Sequence, residues 1–269
     1  MENTNKKYVF LDIDGTLIDT GEVLHESTAK ALRLAMENGH KLFICTGREK
    51  HFVSKILFDA GLSDGVFSAG ANVFCGGKNI FHSSFPAELY NRMVKVLVKH
   101  KAVVTLETIK EEIFLDQTLK KGYEGFTAWL NVLGAVFSKD IPHDLDNVDK
   151  IVFVGSESPV SLIQNEIGSD CNIVTMSYQS GDNGGEIMQK GITKATGIQK
   201  VLDFYGADVK DAIGIGDGAN DIEMLQFCGT GIAMGNADER AKAAADIITD
   251  DIDKDGLYNA FKRMGLIKI

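Results

Sequence analysis

Apolar and polar positions along the chain alternate between two rhythms. Short, nearly unbroken apolar runs ("KKYVFLD", "KLFICTGR", "GVFSAG", "DAIGIGD", "GIAMG", "DIITD") alternate with stretches in which apolar residues recur every third or fourth position ("HESTAKALRLAMENG", "EKHFVSKILFDAG", "TKATGIQKVLDFYG", "NDIEMLQFC", "ADERAKAAAD"). Apolar runs of that length predict strands buried on both faces, and the wider spacing predicts helices, with glycine stops such as Gly39. Strands alternating with helices through short loops imply a parallel sheet with right-handed crossovers. The rhythm changes between about Ser83 and Glu186. There the pattern predicts a helix, two strands ("AVVTLET" and "EIFLD") turning around "IKEE", a helix, a strand ("KIVFVG"), a helix and a strand ("NIVTMS"). The first rhythm returns after Lys190. The predicted fold class is α/β: a doubly wound parallel-sheet core from residues 1–82 and 187–269, with an α+β domain inserted at 83–186. No low-complexity segment or internal repeat interrupts this scheme.

The strand ends carry the chemistry. Ligands of open parallel sheets bind at the carboxyl ends of the strands. The polar residues expected there are Asp12 and Asp14, then Thr46, Gly47 and Arg48, then Asp217, Asn220 and Asp221. Clustered carboxylates repel one another unless a hard cation joins them. Mg2+ takes oxygen ligands, keeps several waters and commonly bridges to phosphate, which makes it the predicted cofactor. Glycine after a strand lets backbone N–H groups approach an anion, and Thr46 can donate to the same anion. "KGITKATG" offers Lys190 and Lys194 to balance charge; Lys194 is better placed, because Thr193 can cap the helix it opens. This set suits phosphoryl transfer through a carboxylate. Asp12 attacks phosphorus, and Asp14 protonates the leaving oxygen and then deprotonates the attacking water.

Composition narrows the partners. The chain has 269 residues, is 44% hydrophobic and 25% charged, and carries a formal net charge of −10. That charge disfavours nucleic acid or an anionic membrane as partner, while a local cluster can still hold a phosphorylated small molecule. No apolar run is long enough to span a membrane, and "MENTNKK" lacks the apolar centre of a signal peptide. The four cysteines show no CxxC spacing and predict reduced, packed thiols. The expectation is a cytoplasmic, unanchored monomer.

Taken in order, "DIDGT", Thr46 in "ICTGR", Lys194 and "GDGAND" resemble the four motifs of the haloacid dehalogenase superfamily. "GDGANDIEML", "GIAMGNA" and "TDDIDKDGL" extend the likeness to its Cof-like hydrolases, and the insertion sits where that subgroup carries its type IIB cap. The resemblance covers essentially the whole chain. It implies a Rossmann-like core, Mg2+ dependence and phosphatase activity on small phosphorylated metabolites. It further implies Asp12 as nucleophile and Asp14 as acid/base. Mg2+ would be held by Asp12, the Asp14 carbonyl and Asp217, with Asp221 behind them. Phosphate would be held by Thr46, Gly47, Lys194, Asn220 and the Ile13 amide. One departure is visible: the subgroup's Asn-Gly-Ala after the third strand reads "AGA" here, with Ala69 at the Asn position, so any contact made by that Asn is not carried over.

Several readings stay open in the sequence. Arg48 can contact substrate or pair with an acid, and Asp221 can support a metal or sit in a helix first turn. The acids of "DDIDKDG" suggest a calcium loop, but Lys262 stands where the bidentate Glu is required. His25, His51, His82 and His143 have no partner in the pattern, and Trp129, Phe126 and Phe137 are assigned to the core of the inserted domain. Two functions compete with a phosphatase. A phosphosugar mutase needs a second, arginine-rich phosphate site, yet Arg92 is the only arginine in residues 83–186. A phospho-acceptor signalling domain shares the acids, Thr and Lys but has no place for the insertion.

Overall fold

The computed structural model describes residues 6–115, 118, 135–139, 145, 147–178 and 181–268. In chain order the elements begin with β1 (Tyr8–Leu11), α1 (Glu26–Glu37), β2 (Lys41–Cys45), α2 (Lys55–Asp59), β3 (Gly65–Phe67), β4 (Asn72–Cys75) and β5 (Lys78–His82). Next come α3 (Ala87–Lys99), β6 (Val103–Thr108), β7 (Glu112–Leu115), β8 (Val136–Ser138), β9 (Val148–Val154), α4 (Val160–Ile167), β10 (Cys171–Tyr178) and β11 (Gly181–Gln189). The chain ends with α5 (Lys194–Tyr205), β12 (Ala212–Gly216), α6 (Ile222–Phe227), β13 (Thr230–Ala233), α7 (Glu239–Ala244), β14 (Ile247–Ile248) and α8 (Gly256–Arg263). Two compact units result: residues 1–48, 53–82 and 193–269 form the first, and 49–52 with 83–192 form the second.

The first unit is built on an eight-stranded sheet in the order β14-β13-β12-β1-β2-β3-β4-β5. β1 pairs in parallel with both β12 and β2. Alternate residues of β1 face opposite sides. Val9 and Leu11 pack with Leu32 of α1 and Phe261 of α8, while Tyr8 and Phe10 pack with Phe43 and with Val201 and Leu202 of α5. The sheet is therefore covered by helices on both faces, which is why its central strands β1 and β12 are apolar throughout. The core is the expected parallel sheet, extended at one edge by a hairpin: β3–β4 and β4–β5 are antiparallel. The β4–β5 turn is Gly76-Gly77, both with positive φ, and the Asp64 carboxylate accepts their N–H groups at 2.6 and 3.0 Å. The helix expected over "EKHFVSKILFDAG" is also broken. A single 3-10 turn spans Lys50–Phe52, Ser54 is extended (ψ 133°), and only Lys55–Asp59 is α-helical. Glu49–Phe52 belongs with the second unit.

The second unit is a six-stranded sheet in the order β10-β11-β9-β6-β7-β8. Tyr90, Met93 and Leu97 of α3 and Ile163 of α4 cover one face, against Val104, Leu106, Ile151 and Phe153. Two of its strands were not expected. β8 is three residues long, and β11 is hidden in sequence by the glycines of "GDNGGEIMQ". Because β11 runs to Gln189, this unit extends to Ile192 rather than ending at residue 186. Phe137 packs on Phe114 with ring centroids 5.1 Å apart. Phe126, Trp129, His143 and the helix expected after "EIFLD" lie outside the described residues. All four cysteines are free and buried. Among the described residues no helix is long and apolar enough to cross a membrane.

Candidate active site

Two of the strand ends expected to carry chemistry, those after β1 and β12, contribute to one cluster in the first unit. Asp12 follows β1, and its N–H is bonded to the Ile215 carbonyl of β12 at 3.0 Å. Asp217 follows β12, and Asp221 lies at the start of α6. One oxygen from each of Asp12, Asp217 and Asp221 falls within 4.8 Å of the others. Lys194, the first residue of α5, reaches them from the other side of the chain's insertion. Its Nζ donates to Asp12 Oδ1 and to Asp221 Oδ1, both at 2.6 Å. Thr193 and Thr196 cap this helix reciprocally, which fixes the lysine's origin and stabilises the helix start by about 1 kcal/mol.

Asp221 holds the cluster together. Its second oxygen accepts the N–H groups of Asp217 (3.0 Å) and Gly218 (2.9 Å), and the residue is fully buried. The Asp217 carboxylate accepts from Thr16 Oγ1 at 3.0 Å. Gly15 has φ +79°, and any Cβ there would collide with the Asp217 carboxylate, so the glycine of "DIDGT" is required by close approach as well as by the turn. Asn236 was missed by the sequence argument. It donates to the Gly15 carbonyl at 2.9 Å and accepts from Ile252 N–H at 2.9 Å, tying "GNA" to the first loop. Only its place in "GIAMGNA" hinted at it.

Thr46 ends β2, and its hydroxyl accepts the Arg48 N–H at 3.1 Å, leaving the hydroxyl proton to donate elsewhere. The loop after β3 supports this turn: Ser68 N–H bonds the Arg48 carbonyl and Ala69 N–H the Thr46 carbonyl, at 2.9 and 3.0 Å. That bracing goes with Ala69 in the left-handed region (φ +52°), a conformation that asparagine tolerates better than alanine. Gly70, with φ +114°, lies so close to the Thr193 carbonyl that a Cβ would collide with it. One loop therefore braces both Thr46 and the start of α5. The Ile13 N–H and the Asn220 amide make no hydrogen bond among the described residues, and Asn220 is exposed. Asp14 is more open still, and both its oxygens are bonded to Arg48. Lys190 is exposed and belongs to the second unit.

The electrostatics are unbalanced. Burial, then the neighbouring Asp221, push the Asp12 carboxyl well above its ordinary value, and the same causes push Asp217 up to about 6. Burial alone would lower the Lys194 ammonium, but Asp12 and Asp221 outweigh it and hold it charged. Three carboxylates against one lysine leave negative charge in excess. All donors are hard oxygens, so the residues fit a divalent cation of the Mg2+ kind, and a cation would relieve the repulsion.

Comparison with known proteins agrees with this geometry. The family model for haloacid dehalogenase-like hydrolases matches residues 9–261. The Bacillus subtilis protein YkrA is 29% identical over 272 residues, covering 98% of this chain and all of that protein. The 5-amino-6-(5-phospho-D-ribitylamino)uracil phosphatase YitU of the same organism is 25% identical, covering 96% of this chain and 97% of its own. Among solved structures, a subclass IIB sugar phosphatase superposes with a TM-score of 0.86 at 29% identity, covering 97% of this chain and 100% of that one.

Proposed function

The chain belongs to the haloacid dehalogenase-like hydrolases and is a phosphatase of that family, and from this premise we propose that it is a Mg2+-dependent hydrolase of a small phosphomonoester, such as a sugar phosphate, acting through an aspartyl-phosphate. The observation that carries the reading is the buried contact of Lys194 with Asp12 and Asp221 inside a cluster that holds more carboxylates than cations. Asp12, the Asp14 carbonyl and Asp217 would hold Mg2+, with Asp221 orienting them. When bound, the ion neutralises charge on the transferring oxygens.

The chain's own groups divide the remaining work. Asp12 supplies the carboxylate oxygen that attacks phosphorus. Asp14 gives a proton to the departing oxygen, then takes one from the water that hydrolyses the acyl phosphate. Lys194, Thr46, Asn220 and the amides of Ile13 and Gly47 would hold the phosphoryl oxygens. A mutase reading is disfavoured because Arg92 is occupied, donating to Asp170 at 2.8 Å and to the Ile167 carbonyl at 3.2 Å. One similar structure is a sugar phosphatase and one relative is a 5-amino-6-(5-phospho-D-ribitylamino)uracil phosphatase, which favours a small phosphorylated metabolite of that kind here.

The test is phosphate release from a panel of phosphorylated metabolites with and without Mg2+. Release that requires Mg2+ and falls at least about 10³-fold in Asp12→Asn supports the reading. Undiminished release in Asp12→Asn contradicts the aspartyl-phosphate route.

A further inference from the structure

Arg48 is a residue whose role the sequence leaves open, and its surroundings are specific. Its Nε donates to Asp14 Oδ2 at 3.0 Å, and Nη2 donates to Asp14 Oδ1 at 2.5 Å. Nη1 donates to Glu22 Oε1 at 2.8 Å. One guanidinium therefore clamps both oxygens of the expected acid/base and is itself held from behind by a second carboxylate. The Arg48 backbone is fixed at both ends, through its N–H to Thr46 and its carbonyl from Ser68 N–H. Its side chain is about four-fifths buried, so screening by water is limited.

Glu22 is presented by a purpose-shaped turn. The Asp19 carboxylate accepts the N–H groups of Gly21 and Val23, and Glu22 N–H bonds the Asp19 carbonyl. The turn puts Glu22 in the left-handed region at φ +57°, an unfavourable conformation for a non-glycine residue. Its side chain reaches Arg48.

From this geometry we propose that Arg48 is a positioning residue for Asp14 and that Glu22 acts through Arg48. The proposal rests on Asp14 being the acid/base, as argued above. In the first half-reaction an Asp12 oxygen forms a bond to phosphorus, and the bond from phosphorus to the leaving oxygen breaks. The proton of the Asp14 carboxylic acid passes to that oxygen, giving a free alcohol and leaving Asp14 as a carboxylate. The two guanidinium bonds fix the plane and direction of the Asp14 carboxyl toward the leaving oxygen as the proton departs. In the second half-reaction that carboxylate takes a proton from water as the water oxygen bonds to phosphorus and the bond from phosphorus to Asp12 breaks. A carboxylate has lone pairs for two further partners beyond the two guanidinium bonds, so the clamp fixes Asp14's orientation without blocking proton transfer.

The experiment compares two substrates by kcat/KM, which reports the steps up to formation of the aspartyl-phosphate. An aryl phosphate with an acidic leaving group, p-nitrophenyl phosphate, needs no proton; an alkyl phosphate such as a sugar phosphate does. Arg48→Ala is expected to lower kcat/KM for the alkyl phosphate by about 10²-fold and for the aryl phosphate by less than about threefold. Asp14→Asn should show the same selectivity, more strongly. Arg48→Lys should recover part of the loss, because a lysine cannot reach both oxygens in one plane. Glu22→Gln should shift rates in the same direction by about tenfold or less, and should add nothing in the Arg48→Ala background. Equal losses on both substrates in Arg48→Ala, with Asp14→Asn selective, would overturn the positioning role and make Arg48 a phosphate contact. Equal losses in Asp14→Asn itself would overturn the acid/base assignment, and this proposal with it.

Discussion

Among the described residues, each unit of this protein buries one lysine among carboxylates, and the two arrangements differ in what they can hold. In the first unit, Lys194 contacts Asp12 and Asp221, with Asp217 close by. In the second, Lys150 of β9 lies 3.1 Å from Glu107 and 3.0 Å from Glu186, and Glu107 stands directly across the ladder from both Lys150 and Glu112. Both lysines are almost fully buried, and both clusters carry more acid than base. The first uses short aspartates at loops that end strands, so their oxygens converge on one point. The second uses long glutamates in a row across a sheet. Convergent oxygens offer a cation a place to relieve excess charge. The row offers no such focus, and its acids are shifted toward the protonated form instead: burial pushes Glu107 up to about 8, and burial with Glu107 beside it pushes Glu112 up to about 9. Buried surplus charge thus marks a candidate site only where geometry lets the oxygens meet.

The largest effect that would break this contrast lies in the first cluster. Lys194→Met should reduce phosphate release by about 10²–10³-fold, measured as kcat on a phosphomonoester, because a fixed cation facing the transferred group is lost. Lys150→Met should act on stability instead. Stranding Glu107 and Glu186 should cost about 3–5 kcal/mol, read as lowered amide-exchange protection in β6, β9 and β11. Replacing all three by apolar residues of similar volume should return most of that loss.

A pH titration sharpens the comparison further. A carboxyl raised by folding binds its proton more tightly folded than unfolded. Its stabilisation is therefore complete below the ordinary glutamate value and is lost as pH rises through the raised one. Protection in the second unit should fall between about pH 4.5 and about pH 9, and Glu112→Gln should flatten that fall. The smallest effect concerns the frame of the first cluster. Ala69→Gly should raise thermal stability by up to about 1 kcal/mol, since glycine adopts the left-handed conformation without strain; a loss of stability would mean that the Ala69 methyl packs usefully.

The chain's pattern made the first cluster legible because strand-end position, residue type and order all pointed one way. Asp12 and Asp217 follow from apolar runs that stop at polar residues, and Lys194 follows from the helix start that Thr193 can cap. The β4–β5 hairpin was less visible, although Gly76-Gly77 is a turn signal, because "NVF" and "KNIFH" are too short to announce strands. β11 was masked by its glycines, three of which replace the β-branched residues that usually mark a strand. The broken helix at Ser54 has no breaker residue; the chain crosses between units just before it. The Lys150 cluster was invisible because its members lie far apart in sequence and meet only through strand register. The pairing of Arg48 with Asp14 and Glu22 was hidden for the same reason: one of the two open readings of Arg48 named an acid, but nothing in the pattern said which.

The central claim is that the first cluster, and not the second, takes the cation that phosphoryl transfer needs. The direct measurement is the Mg2+ concentration giving half-maximal phosphate release in the wild-type chain, Asp217→Asn and Glu107→Gln. The account predicts a rise of at least about tenfold in Asp217→Asn and no change in Glu107→Gln. Release that proceeds without Mg2+, or an equal shift in both variants, would contradict it.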